Sequence, residues 1–300
     1  MEWQEVFQGH VCNLTEWWVN QTDCLDQILT ADEQARMLRK NKTLQERNAE
    51  VEKTAMRVNL IKAENKREDR VIHYRLHSQW LIRQEGQFYL EEKLETRQAV
   101  LRGNNVVSDR LNAALQPVRA AEPFIISNDP SDGIRSKQRN YDRLNAVRYA
   151  ELWWNRRNPV FPKVENDCTN FISQCLFAGH IPMWGQPVRG RGWWYERTNW
   201  SFSWAVANNL RWYLSRHGNV IGAVEVDSAE KLVPGDVICY DFEGDGHWNH
   251  NTMVTALDPS GWPLVNAHTY DARSRSWSYT DSPAWTDKIQ YKFFHIEDEA

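Results

Sequence analysis

Asn166-Asp-Cys-Thr-Asn-Phe-Ile-Ser-Gln-Cys-Leu-Phe-Ala-Gly179 is the stretch on which the reading of this chain turns. Asn166 or Asp167 can accept the free backbone N–H groups of a helix start, and Gly179 can end the helix. The spacing predicts a helix from Cys168, with Phe171, Ile172, Cys175 and Leu176 on its buried side. Cys168 falls in the first turn on that same side. There the positive end of the helix macrodipole favours a thiolate. A cysteine in such a helix is more often an inert buried side chain, so any chemistry must come from its surroundings.

Downstream, Leu232-Val-Pro-Gly-Asp-Val-Ile-Cys-Tyr240 reads as a tight turn at Pro234-Gly235 feeding an apolar strand. After the polar loop Gly244–Asn249, His250-Asn-Thr-Met-Val-Thr-Ala-Leu257 reads as a second strand. Its alternation places His250, Thr252, Val254 and Ala256 on one side. Asp258-Pro-Ser-Gly261 is a hairpin turn. The third strand, Pro263–Thr269, places Leu264, Asn266 and His268 on one face. His250 and the pair Asn266/His268 then lie at neighbouring strand ends. A histidine acting as base needs a polar group to fix its tautomer and ring orientation, and Asn266 or His268 can supply it. Upstream, Asp142–Asn155 reads as a helix with Leu144, Val147, Tyr149, Ala150 and Trp153 inward, and a further helix spans 203–217. A group of helices followed by a group of strands is an α+β order.

Between Cys168 and His250 lies an aromatic segment, Trp193-Trp-Tyr195, with Trp200, Trp204 and Trp212. Gly190-Arg-Gly192 ahead of it suggests a mobile loop. Trp193, Trp194 and Tyr195 are candidates for a substrate cleft wall. Trp204 and Trp212, eight residues apart, suit one buried helix face.

Together, Asp167–Gln174, the Pro-Gly-Asp strand start, His250–Thr255 and Asn266-Ala-His-Thr269 resemble the bacterial putative amidase domain, over about residues 138–298. That family is similar to the NlpC/P60 and CHAP peptidases. The resemblance implies a papain-like α+β fold with helices packed on an antiparallel sheet. It implies a cysteine amidohydrolase with Cys168 as nucleophile, His250 as base and His268, or else Asn266, as the third residue. Cleavage of an amide bond follows, in peptidoglycan peptides among other candidates, with no cofactor and no metal. The Cys168 backbone N–H would serve the oxyanion, with Asp167 or Asn170 as a second contributor. Asn249 stands where an acidic residue often precedes the histidine, which leaves the tuning of the base open.

The first hundred residues carry no comparable cluster. Leu14, Trp17, Trp18, Leu25, Ile28 and Leu29 recur at helical spacing, and Thr30-Ala-Asp-Glu33 fits a capping box that starts a second helix. Residues 53–102 read as three strands joined by short polar turns, closed by Gly103-Asn-Asn105. This helix-plus-β-meander has the outline of a cystatin-like or NTF2-like domain. His73 and His77 read as ordinary sheet residues. The organisation is therefore an α+β domain at 1–110, a linker at 111–138 punctuated by Pro117, Pro123, Pro130 and Gly133, and the amidase-like domain at 139–300. The N-terminal domain is expected to position the hydrolase or mediate association.

A net charge of −4 in 300 residues argues against nucleic acid as main partner, because phosphate binding needs a concentrated basic surface. Five cysteines without regular spacing give neither a disulfide framework nor a zinc ribbon. No stretch approaches the ~20 apolar residues of a membrane span. The start, MEWQEVFQGHVC, lacks the basic and apolar regions of a signal peptide, so a cytoplasmic location is expected unless a leader has been removed. The competing readings are an inactive wall- or protein-binding module on the same fold, a zinc site from Cys168, His250 and His268, and a transglutaminase-like acyl transferase.

Overall fold

The computed structural model describes residues 2–20, 28–112, 140–162, 164 and 166–298. Most of the 111–138 segment expected as a linker, together with Cys24 and Leu25, lies outside the described residues. The chain divides into two compact units, Met1–Gln116 with Ser278–Pro283, and Pro117–Trp277 with Ala284–Ala300.

The first unit starts with helix α1 (Trp3–Asn20), which buries Phe7, His10, Val11, Leu14 and Trp18 at helical spacing. Helix α2 (Ala31–Glu46) is capped by Thr30, whose hydroxyl accepts from the Glu33 N–H at 3.3 Å. Only half of a capping box forms. The Glu33 carboxylate turns inward, to the guanidinium groups of Arg36 at 2.6 Å and Arg97 at 3.3 Å. Strands β1 (Ala49–Lys66), β2 (Asp69–Gln84) and β3 (Gln87–Arg102) make a continuous antiparallel meander. The sequence pattern ends this sheet at Gly103-Asn-Asn105, yet those residues form a hairpin turn into a fourth strand, β4 (Asn105–Leu111). What fixes β4 is a buried polar knot rather than apolar alternation. Asp109 accepts from Tyr74 at 2.7 Å and Arg97 at 3.2 Å, and lies 2.8 Å from His10 Nε2.

In the second unit, α3 (Arg143–Trp153) starts at Asp142, whose carboxylate accepts the Asn145 N–H at 2.9 Å. That start sets the helical phase so that Ala146 and Ala150 face the core, while Leu144, expected inside, is exposed. Next come α4 (Cys168–Ala178), the short hairpin of β5 (Tyr195–Glu196) and β6 (Asn199–Trp200), and α5 (Phe202–Ala205) and α6 (Ala207–Leu214). The last two replace the single helix expected over 203–217. Val206 between them is extended, with φ −117° and ψ 121°, and breaks the periodicity. Trp204 is therefore fully buried and Trp212 is 42% exposed, instead of sharing a face.

The remaining strands are β7 (Ala223–Val226), β8 (Val237–Asp241), β9 (His250–Leu257), β10 (Pro263–Ala267), β11 (Ala272–Ser276) and β12 (Gln290–Ile296). Within this unit they pair antiparallel in the order β11-β10-β9-β8-β12-β7. The unit is thus α+β, with its helices gathered on one face of the sheet. Phe171, Ile172, Cys175 and Leu176 of α4 pack there in one core with Val237, Cys239 and Met253 of the strands.

Candidate active site

Cys168 is the first residue of α4 and is buried. Its sulfur lies 3.7 Å from the Thr169 hydroxyl and accepts the backbone N–H of Asn251 in β9. Burial pushes the thiol above its ordinary range, and the Thr169 and Asn251 hydrogen bonds offset this only in part. Burial therefore opposes the thiolate that the helix start favours, and the net shift is toward the protonated thiol. Asp167 occupies the N-cap position, but its side chain makes no capping bond.

The strand pattern then separates the two expected partners. Asn251 donates from Nδ2 to Thr169 Oγ1 at 2.9 Å, so its side chain lies on the helix-covered face. Its cross-strand neighbour Cys239 belongs to the same core as α4. Successive strand residues point to opposite faces, which turns His250 away from Cys168. The His250 ring lies instead among Tyr240 and Phe242, at 5.6 and 6.0 Å between centroids. Burial, with a smaller contribution from Arg275, lowers its pKa to about 3, so the imidazole is neutral. The expected Cys168–His250 pair is not brought together in this structure. Helix–strand order was readable, but the parity of the residue facing the thiol was not.

His268 does share the face of Cys168. Its ring stacks on Phe171 at 3.9 Å. Nδ1 lies 2.5 Å from Asp167 Oδ2, and Nε2 lies 2.8 Å from the carbonyl oxygen of Trp153. A carbonyl only accepts, so Nε2 carries a proton. Neither ring nitrogen offers a lone pair to the thiol in this arrangement. Asp167 is the hub of the site: Oδ2 is also ion-paired with Arg157 Nε at 2.6 Å, and Oδ1 receives Asn170 Nδ2 at 2.7 Å. Asn266 is committed elsewhere. Its Nδ2 donates to Glu151 of α3 at 2.7 Å, and its Oδ1 accepts from Thr255 and from the Ser274 N–H.

The residues expected to hold substrate are mostly structural here. Asn170 gives its amide hydrogens to Asp167 and the Pro162 carbonyl, and its oxygen accepts Trp204 Nε1 at 2.9 Å. That leaves no donor for an oxyanion. Trp193 and Trp194 are fully buried. Trp193 donates to Ser173 Oγ at 2.9 Å, and Trp194 to the carbonyl of Arg191 at 3.0 Å. A buried indole finds an acceptor for its N–H, and these two find theirs in the core rather than across a cleft. Tyr195 is half-buried, stacks on Trp204 at 5.6 Å and donates to the Val160 carbonyl. The loop before them is pinned: at Gly192 (φ +68°) an added Cβ would lie 2.0 Å from the Trp184 carbonyl oxygen.

With this geometry in hand, comparison with known proteins is informative. The family described as "Putative amidase domain" matches residues 140–294, about half of the chain. The chain belongs to this family. Over 271 residues it is 44% identical to the uncharacterized protein YhbB of Bacillus subtilis strain 168, covering 88% of this chain and 86% of that protein. The uncharacterized protein YjcM of the same organism is 28% identical over 126 residues, 39% of this chain and 28% of its own length. No solved structure matches significantly.

In this amidase-domain chain, sequence reasoning passed over Asn251, Thr169 and Arg157. Asn251 and Thr169 adjoin singled-out residues, and only the strand parity shows that they meet. Arg157, just past the helix read over Asp142–Asn155, gave no signal that it would reach back to Asp167. The zinc alternative fails on the same parity, since His250 faces away from Cys168 and His268. No group of three metal-binding side chains occurs among the described residues, and no helix among them is long and apolar enough to cross a membrane.

Proposed function

We propose that the chain is a cysteine-dependent amide hydrolase of papain-like type, with Cys168 as nucleophile and His268, rather than His250, as the imidazole that serves it. The supporting observation is the Asp167–His268 pair beside the first turn of α4, on the thiol's own side of the sheet. In this reading the His268 ring leaves the Trp153 carbonyl when substrate enters, while Asp167 keeps hold of Nδ1–H. The freed Nε2, having passed its proton to solvent, takes the Cys168 proton. The thiolate then attacks the amide carbonyl, and the leaving amine departs with the proton from His268. Water attacks the thioester and returns the thiol. Backbone N–H groups at the head of α4 receive the oxyanion. The resemblance read in the sequence to NlpC/P60 and CHAP peptidases directs the search for substrate to peptidoglycan peptides.

A second reading, a binding module without turnover, is favoured by the buried, protonated thiol and the fully engaged His268 ring. Incubation with purified peptidoglycan and muropeptides, followed by mass spectrometry, separates the two. Turnover is expected for wild type, is lost in Cys168→Ala and His268→Gln, and persists in His250→Gln. Products unchanged by Cys168→Ala would refute a cysteine mechanism. Loss in His250→Gln but not in His268→Gln would return the base to His250.

A further inference from the structure

The first unit contains a cavity that the hydrolase reading does not use. It lies between the helices and β1–β3, with about 40 Å3 open to the centre of a water-sized sphere. One wall is apolar. Trp18 and Trp80 meet edge to face at 5.2 Å, and Met37 and Met56 line the same space. The other wall is ionic, and its charges are largely paired. Arg36 binds Glu33 and Glu95, and Arg97 reaches Glu33.

Two donors stand out from that pairing. The Trp80 Nε1 is buried and has no hydrogen-bond acceptor among the described residues, an uncommon state for a buried indole. Lys40 Nζ sits 4.7 Å from the centre of the Trp80 ring. An ammonium carries three hydrogens. Lys40 bonds Glu91, while Asp281 at 3.9 Å is beyond hydrogen-bond range. The cavity therefore offers spare hydrogens beside an aromatic and thioether wall, and its occupant must be an acceptor with a flat apolar body.

We propose that this cavity binds a small aromatic carboxylate, with its ring against Trp18, Trp80 and Met37 and its carboxylate on Trp80 Nε1 and Lys40 Nζ. The site is independent of Cys168 and gives the N-terminal unit a ligand-binding role.

The test uses the full chain and benzoate as probe, followed by ligand-observed NMR titration and calorimetry. Benzoate is expected to bind saturably, and its neutral analogue benzamide several-fold more weakly. Trp80→Phe keeps the ring, removes the donor and is expected to weaken benzoate roughly tenfold, about one hydrogen bond. Ser78→Leu places bulk on the cavity wall, where Ser78 is a lining residue, and is expected to abolish binding. It also serves as the arm to read if Trp80→Phe does not fold by near-UV circular dichroism. Absence of saturable benzoate binding by wild type, or affinity unchanged in both variants, would overturn the proposal.

Discussion

Replacing Asp167 by Asn removes a charge and keeps the shape, so it tests the hub of the site directly. The carboxylate accepts from Asn170 on Oδ1 and from His268 on Oδ2, and Oδ2 is also ion-paired with Arg157. The amide cannot serve both sides. With its oxygen toward Asn170, its NH2 faces the Arg157 N–H and the His268 ring; flipped, it meets the Asn170 NH2. The bond to fully buried His268 is of the charge-assisted kind, worth about 1.5–3 kcal/mol. Arg157 is 36% exposed, so solvent screening reduces its share to about 0–1 kcal/mol. The loss should total about 2–4 kcal/mol. Because the chain has two compact units, a single global transition is a poor readout. Native-state hydrogen exchange of the α4 amides reports the local free energy instead. Their protection should fall roughly 30- to 700-fold on this scale. Asp271→Asn, which disturbs only the outer Arg157 pair, should cost less than about 1 kcal/mol. Equal losses in the two variants, or a fall in Asp167→Asn below about fivefold, would refute the hub.

Three further outcomes follow from the same geometry. Alkylation of Cys168 by iodoacetamide, located by mass spectrometry, should be slow at pH 7 and climb only above the ordinary thiol range, because burial raises its pKa; a reactive plateau at acidic pH would reveal a thiolate–imidazolium pair. His250 has a folded pKa lowered to about 3 from an unfolded value of 6.5, so the unfolded chain binds a proton the native state refuses and stability drops as pH falls below 6.5. The slope should reach at most about 1.4 kcal/mol per pH unit between pH 6.5 and 5, and local free energies from native-state hydrogen exchange of the β9 amides should show it flattened in His250→Gln. Gly192→Ala forces both positive φ and a backbone collision and should cost at least about 2 kcal/mol, whereas Gly246→Ala, with positive φ but open space, should cost only about 1 kcal/mol. Local free energies from native-state hydrogen exchange around each glycine decide this.

The helices and strands around Cys168 were legible because capping residues, glycine stops and alternation are local signals. Face parity was not, since it depends on how β8 and β9 register, and one residue of slip exchanges every side chain between faces. The fate of the tryptophans shows the same limit. Trp204 and Trp212 are eight apart on paper, but the extended Val206 between them is invisible to a periodicity count. Trp193 and Trp194 looked like cleft walls because their polar partners, Ser173 and the Arg191 carbonyl, cannot be guessed from spacing. The fourth strand of the first unit was hidden for a related reason. Its anchor, Asp109, is polar, and the buried polar partners that hold it come from α1, β2 and β3.

The sheltered thiol has a consequence outside catalysis. Peroxide oxidises thiolates far faster than thiols, and only those it can reach. Cys168, neutral and shut away from water, is slow to form a sulfenic acid, while Cys12 on α1 is exposed. Oxidative damage among the described cysteines should therefore begin at Cys12 and spare Cys168, the nucleophile of the proposed mechanism.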